Sequence, residues 1–147
     1  MREIKQVAYT SPAFTHDALR LRLEVFCEEQ HVPVENERDA DDPSALHYVL
    51  YEDGHAHGVF RILRPAGAID AKLGRLAVSL PQRNRGLAEE MMRYAEGVCR
   101  EHGWPRLALH AQTYLNKFYM RLGYTHDETR ASWDEEGMDH IYMYKDL

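Results

Sequence analysis

The sequence predicts an α/β domain with a central mixed, mostly antiparallel, twisted sheet of about 6–7 strands and helices on both faces. Two apolar, β-leaning segments flank Asp53-Gly54, which is a strong hairpin signal. A long amphipathic helix pattern follows the next strand, and strand and helix patterns then alternate towards a C-terminal hairpin. No repeat or low-complexity segment interrupts this order, so we expect residues 1–147 to form a single domain.

The composition excludes several classes of function. The 147 residues include 24 acidic and 18 basic residues, and the net charge is −6 with neutral histidines. This balance disfavours a nucleic-acid partner, because binding many phosphates needs a basic face. No apolar run approaches the roughly 20 residues of a membrane-spanning helix, and the charged start is unlike a secretory signal. We therefore expect a cytoplasmic protein with no membrane partner and with Cys27 and Cys99 as free thiols.

The N-terminal third predicts one strand, one helix and one loop. Residues 4–9 are β-leaning. The next segment alternates Leu and Arg with a strand-like period, but Leu19, Leu23 and Phe26 also align at helical spacing. Its many good helix formers favour the helix. Residues 31–43 are polar and acidic and contain two prolines, so we expect a loop there.

The middle of the chain predicts an antiparallel meander followed by the clearest helix. Residues 45–51, 57–63 and 69–78 are β-leaning segments that end in turn signals. The helix that follows has apolar residues at i, i+4, i+8 and i+11, namely Leu87, Met91, Ala95 and Val98.

The C-terminal third predicts a strand at 107–110, a second amphipathic helix at 113–122 and a final hairpin. Gly103 ends the preceding long helix, because glycine readily adopts the left-handed cap conformation. The hairpin turns around residues 134–137. Its last strand, 138–144, offers an edge at which two copies could form a homodimer.

The sharpest local signal lies between the third strand of the meander and the long helix. Small residues there let the backbone approach an anion, and the first amides of a helix lack partners within the helix. Arg83 and Arg85 would add positive charge. The P-loop and dinucleotide-binding patterns are both absent. On these residues alone, the alternative that Gly86 serves only the turn and the arginines are solvated stays open.

This junction reads Arg83-Asn84-Arg85-Gly86-Leu87-Ala88, which resembles the Arg/Gln-x-x-Gly-x-Gly/Ala signature of the GNAT superfamily of acetyl-CoA-dependent N-acyltransferases. The resemblance implies the GNAT fold and acetyl-CoA as co-substrate. In that family the preceding strand, Leu76-Ala77-Val78 here, pairs its backbone with the pantetheine arm and can offer an N–H to the thioester oxygen. The amides of residues 83–88 then hold the pyrophosphate.

A second motif supports the same resemblance. The next helix in the family commonly carries Phe-Tyr-x-x-x-Gly-Phe/Tyr, and this chain has Phe118, Tyr119, Gly123 and Tyr124 at those positions. By this resemblance Tyr119 protonates the departing CoA thiolate. The family often has Asn seven residues before this tyrosine. The chain has Gln112 there, which the resemblance places at the cofactor.

The N-terminal half is similar to the ElaA-type branch of the family, on the evidence of residues 25–33 together with Asp39, Asp42 and His47. The resemblance therefore covers nearly the whole chain. It implies direct attack of an amine on acetyl-CoA, with no covalent acyl-enzyme. The acceptor is less well defined, and we expect a primary amine of a small molecule or peptide.

The amine substrate needs a base, because an alkyl ammonium titrates near pH about 10. Glu29, at the end of the first helix, and His47, on the next strand, are the candidates, and a purely structural role for each stays open. The acidic residues of 31–43 could attract a cationic acceptor, although a solvated loop is the simpler expectation. No Cys/His spacing suggests zinc, so we expect no metal.

Two alternative functions would use the same loop at residues 83–88. One is a non-catalytic CoA- or nucleotide-binding sensor or interaction domain. The other is an acyltransferase with a longer acyl donor, since the depth of the pocket depends on tertiary packing. Tyr119 separates the enzymes from the sensor, because only an enzyme needs its proton.

Overall fold

The computed structural model describes residues 1–147, and its centre is one mixed sheet of eight strands. The spatial order is β1-β2-β3-β4-β5-β8-β6, and β7 also pairs with β8. Every pairing is antiparallel except β4 with β5. The strands are Arg2–Val7 (β1), Leu46–Glu52 (β2), His55–Leu63 (β3), Asp70–Val78 (β4), Arg106–Gln112 (β5), Thr125–His126 (β6), Trp133–Glu135 (β7) and Met138–Asp146 (β8).

Four helices accompany the sheet. The first, α1, is continuous but changes its winding: Phe14–Leu19 and Leu23–Glu29 are π-helical, and Arg20–Arg22 between them is α-helical. The others are Val34–Glu37 (α2), Leu87–His102 (α3) and Asn116–Arg121 (α4), with short 3₁₀ turns at Asp42–Ser44, Leu80–Gln82 and Thr113–Leu115. None of the helices has the length and apolar character needed to cross a membrane.

The helices bury both faces of the sheet. On one face, α3 and α4 cover the larger core, in which Met91, Met92 and Leu107 are fully enclosed. On the other face, α1 places Phe14 and Leu21 over Val49 and the neighbouring strands. The predicted fold class, the helices on both faces and the antiparallel meander are therefore confirmed.

Two expectations about secondary structure and strand pairing are wrong. Residues 31–43 are not a plain loop, because they contain α2 and begin a 3₁₀ turn. The strand 138–144 offers no dimer edge, because β8 pairs with β5 on one side and with β6 and β7 on the other. Ile141, Tyr142 and Met143 are buried by this pairing, so the apolar residues that suggested an edge belong to the core.

The acidic segment is held by arginines. Arg22, which is only 1% exposed, donates to the carboxylates of Glu37 at 2.7 Å and Asp42 at 2.8 Å. Arg61 and Arg75 bind Asp39, and Arg75 also binds Glu37 at 2.7 Å. Burial alone would raise the pKa values of Asp39 and Asp42, but these arginines hold them below the ordinary range. We call this set the arginine–carboxylate cluster: Arg22, Arg61, Arg75, Glu37, Asp39 and Asp42.

The expectation of a solvated acidic loop is thus wrong for three of its carboxylates. The cluster contains three arginines and three carboxylates, so its charges cancel. It ties α1 and the segment after it to β3 and β4. A cationic substrate gains little long-range attraction from a neutralised cluster.

We expect Arg22→Ala to lower the stability strongly, because it leaves two buried carboxylates without their main partner. Breaking such a buried pair costs about 3–5 kcal/mol, which corresponds to a fall in Tm of about 10 °C for a domain of this size. Arg20→Ala is the matched control, since Arg20 makes only exposed contacts, a hydrogen bond to the His16 carbonyl oxygen at 3.0 Å and an ion pair with Glu24 at 3.4 Å. Equal melting temperatures of the two variants would contradict a structural role for the cluster.

Candidate active site

A cleft opens where β4 and β5 part. The two strands pair in parallel from Asp70 with Arg106 to Leu73 with Leu109, and no further pairing follows although both strands continue. A β-bulge lies at this point, because Arg61 pairs with Gly74 and Val59 with Ala77 across β3 and β4. Arg75 occupies the bulge with a φ of 52°, in the left-handed region. The edge of β4 facing β5 is therefore free of strand partners beyond Leu73.

The cleft has a volume of about 1040 Å³ and is lined by both strands, α1, α2 and the ends of α3 and α4. Most of the residues that the sequence predicts to bind the cofactor or take part in catalysis line this cleft. Two nominated residues, Arg85 and His47, do not line it. Those that do are Glu29, Leu76, Ala77, Val78, Arg83, Asn84, Gly86, Leu87, Ala88, Gln112 and Tyr119.

The loop before α3 presents free backbone amides to the cleft. Asn84 and Gly86 both adopt positive φ angles, 64° and 79°, which turns successive N–H groups towards one side. No side chain caps the N-terminus of α3, and its first internal hydrogen bond runs from Glu90 N to Gly86 O. The amides of the first turn remain available to an anion, and the helix dipole favours negative charge there.

The two arginines of this loop have carboxylate partners. Arg83 donates to both oxygens of Glu29, at 2.5 and 2.7 Å, and to the Val78 carbonyl oxygen. These hydrogen bonds hold the pKa of Glu29 below its ordinary value. Arg85 points to Glu52 and Gln82 instead, so only its backbone belongs to the loop. A low pKa makes Glu29 a weak base and a suitable partner for Arg83.

Tyr119 lies on α4 with its side chain nearly enclosed and part of the cleft wall. Its neighbours are the rings of Phe118 and Tyr124. Burial raises the pKa of Tyr119 to about 12, so the hydroxyl keeps its proton at neutral pH. That hydroxyl has no hydrogen-bond partner within the protein and is free to donate into the cleft.

Gln112 occupies the end of β5, where its amide nitrogen contacts Gln30 Oε1 at 3.4 Å and Met138 Sδ at 3.2 Å. It therefore joins β5 to the end of α1 and to β8. It lines the cleft wall.

His47 is not in the cleft, which corrects its nomination as the base. Its ring is 1% exposed and packs against Phe14 at 4.8 Å between ring centroids. Nε2 lies 2.8 Å from the Asp42 carbonyl oxygen and faces the arginine–carboxylate cluster. Burial lowers the pKa of His47, so the folded protein holds a neutral imidazole that no substrate can reach.

Sequence reasoning missed several cleft residues. Arg75 was read only as part of a strand, and Glu135 only as part of a hairpin turn. His110 and His140 are far apart in sequence, but β5 and β8 bring both to Glu135. The alternation of side chains along a strand could have indicated His110. Leu109 packs in the larger core beneath α3, so its neighbour His110 must face the opposite side of the sheet. No group of three or more metal-ligating side chains is arranged to hold a metal ion.

Comparison with known proteins places this fold and cleft in a family. The family model described as "Acetyltransferase (GNAT) domain" matches residues 10–147, and the chain belongs to this family of acyltransferase enzymes. A Bacillus subtilis protein named as the uncharacterized N-acetyltransferase YjcF is 32% identical over 130 residues, with 88% of this chain and 91% of that protein covered.

Two solved structures share the architecture over nearly their whole length. Escherichia coli ElaA superposes with a TM-score of 0.85 at 26% identity, covering 99% of both chains. An acyl-CoA N-acyltransferase from Pseudomonas aeruginosa superposes with a TM-score of 0.86, also at 26% identity, covering 99% of this chain and 98% of that one. The resemblance to GNAT proteins and to ElaA is confirmed.

The position of His47 generates a prediction about stability and pH. In the unfolded state this histidine binds a proton below pH about 6.5. In the folded state its pKa is lower, so it stays neutral at a pH where the unfolded chain is protonated. The free energy of unfolding of the wild type therefore falls as the pH drops through and below that value. We expect His47→Gln to reduce this fall by up to about 1.4 kcal/mol per pH unit, measured by urea unfolding at several pH values. The exposed His16, changed to Gln, is the control. An unchanged pH dependence in His47→Gln would show that His47 does not resist protonation.

Proposed function

We propose that this protein is an N-acetyltransferase that transfers the acetyl group of acetyl-CoA to a primary amine by direct nucleophilic attack. The observation that carries the proposal is the juxtaposition of three features in one cleft. These are the free edge of β4, the uncapped amides at the start of α3 and the unpartnered hydroxyl of Tyr119. Family membership supplies the reaction class, and the cleft supplies places for the parts of the donor.

The donor would lie along the cleft. Amide groups of its pantetheine arm can pair with the unpaired backbone of Leu76–Val78, as an added strand pairs with a sheet edge. Its pyrophosphate would meet the amides between residues 83 and 88, where the positive φ angles and the helix dipole favour an anion. An N–H of the same β4 segment would donate to the thioester oxygen, which gains negative charge during attack.

Tyr119 is the proposed general acid. When the amine attacks the thioester carbon and the C–S bond breaks, the departing thiolate needs a proton. Tyr119 holds its proton at neutral pH and has no protein partner that competes for it. Glu29 would position Arg83 at the donor site, because its bidentate ion pair makes it a poor base.

Neither cysteine is needed as a nucleophile. Both are free, Cys99 is fully buried in the α3 core, and burial raises its pKa to about 11. Burial also raises the pKa of Cys27. Thiols that remain protonated at neutral pH are weak nucleophiles, which favours direct attack by the amine. Free thiols also agree with the proposed cytoplasmic location.

The acceptor would approach from the α1 side of the cleft, where Asn36 of α2 donates to Glu136 of the β7–β8 turn at 3.2 Å. The polar groups at this end suit an amine of a small molecule or of a flexible peptide. Because the arginine–carboxylate cluster is neutral, recognition would depend on short-range contacts within the cleft.

The mechanism predicts that Tyr119→Phe lowers the rate of CoA release by about 100-fold or more, because a positioned general acid contributes roughly that factor. Stability should stay near that of the wild type, since the lost hydroxyl has no hydrogen-bond partner. CoA release is measured with a thiol reagent, acetyl-CoA and a panel of alkyl amines. Tyr94→Phe, a surface tyrosine of α3, is the matched control.

Two results would each contradict one part of this proposal. Wild-type turnover in a Tyr119→Phe variant would show that Tyr119 is not the general acid. Binding of acetyl-CoA without turnover of any amine by the wild type would favour the CoA-binding sensor.

A further inference from the structure

One carboxylate lies between two imidazoles at the acceptor end of the cleft. Glu135 Oε1 accepts a hydrogen bond from the indole N–H of Trp133 at 2.9 Å and lies 3.1 Å from His110 Nδ1. Its other oxygen lies 3.7 Å from His140 Nε2. The four residues come from three adjacent strands, β5, β7 and β8. His110, Glu135 and His140 line the same cleft as Tyr119.

The hydrogen bonds define which nitrogen of His110 is free. A carboxylate only accepts, so Nδ1 of His110 carries the proton and donates it to Glu135, which leaves a lone pair on Nε2. Burial lowers the pKa of His110, with Lys72 and His140 acting in the same direction and Glu135 opposing them. A neutral imidazole oriented by a carboxylate is a suitable general base near neutral pH.

The two histidines are not equivalent. The His140 side chain is 8% exposed, and its Nδ1 donates to the Met138 carbonyl oxygen at 2.8 Å, so both of its nitrogens face protein atoms. The His110 side chain is 40% exposed, and its ring stands edge-on to Trp133 at 4.9 Å. Only His110 has a nitrogen that a substrate can reach.

The groups around Glu135 keep its carboxylate ionised. Burial alone would raise its pKa, but the hydrogen bond from Trp133 and the neighbouring histidines lower it. The remaining group against the His110 ring is Tyr142 of β8, whose hydroxyl donates to Asp70 and not to the histidine. No cation is paired directly with Glu135, which distinguishes it from Glu29 and its partner Arg83.

We propose that His110 is the general base that takes the proton from the acceptor amine, with Glu135 as its positioning residue. The inference rests on the acetyltransferase function proposed above. The ammonium gives one proton to His110 Nε2, and the nitrogen lone pair then forms a bond to the thioester carbon. The C–S bond breaks, and the thiolate takes the Tyr119 proton. The nitrogen then loses a second proton, which reaches the Tyr119 phenolate through solvent and restores its hydroxyl. His110 releases to water the proton that it took from the ammonium.

The test compares two acceptors that differ in their need for a base. n-Butylamine is protonated near neutral pH, as its ammonium titrates near about 10, whereas hydroxylamine is largely unprotonated there. We expect His110→Gln to lower kcat/KM for n-butylamine by about 100-fold and to leave that for hydroxylamine nearly unchanged. His55→Gln, at the exposed start of β3 outside the cleft, should leave both values unchanged.

The pH profile tests the positioning role of Glu135. With n-butylamine, kcat/KM should rise with pH as His110 loses its proton. Glu135→Gln removes a negative charge that raises the pKa of His110, so the rising part of the profile should move to lower pH and the maximum rate should fall. If Glu135 had only a structural role, Glu135→Gln would lower the melting temperature and leave the pH profile of kcat/KM in place.

Each failure has a separate signature. If the wild type acetylates both probes and His110→Gln loses activity equally with both, or with neither, His110 is not the base although the acetyltransferase stands. If the folded wild type acetylates neither probe, the proposed function is refuted, and the assignment of His110 with it.

Discussion

The cleft exists because β4 parts from β5 beyond Leu73 and Leu109. A parallel pair that ran to its end would leave no space between the strands, and the backbone groups of Leu76–Val78 would bond to β5. The bulge at Arg75 prevents this by placing an additional residue opposite β3 and turning the strand. A non-glycine residue at φ 52° is strained, and two hydrogen bonds from Arg75 to Glu37 hold it there. The arginine–carboxylate cluster thus supports the geometry of the cleft, because Glu37 also binds the buried Arg22 of α1.

Charges are used in three different ways around the cleft. In the arginine–carboxylate cluster they cancel and are mostly buried, which gives orientation to α1 and α2 and no net field. At the start of α3, positive potential comes from backbone amides, and Arg83 is held close by Glu29. At the acceptor end, Glu135 is supported by an indole and two imidazoles. Only this last carboxylate can tune a base without being neutralised by an arginine.

Local patterns were sufficient for most of the fold and for half of the site. The apolar stripe of α3, the Asp53-Gly54 turn and the motif around Gly86 depend on neighbouring residues, so they could be predicted from the sequence. The arginine–carboxylate cluster could not, because Arg22, Asp42 and Arg61 meet only through tertiary packing. His47 was misjudged for the same reason: its residue type suits a base, but the packing of α1 over β2 encloses it. His110 and Glu135 are 25 residues apart and meet across β8, which no local pattern indicates.

We propose that the parted strands and the start of α3 form a binding site for acetyl-CoA. Thermal unfolding with saturating acetyl-CoA, compared with ATP and NAD, tests it most directly. At about 100 times the Kd, binding adds roughly 2.7 kcal/mol, which raises the melting temperature by several degrees. We expect this shift with acetyl-CoA and a smaller one with ATP and NAD. The shift should be lost in Ala88→Glu, which places a carboxylate at the amides of the first helical turn. No shift with acetyl-CoA, or an equal shift with ATP, would show that the cleft is not a selective site for acetyl-CoA.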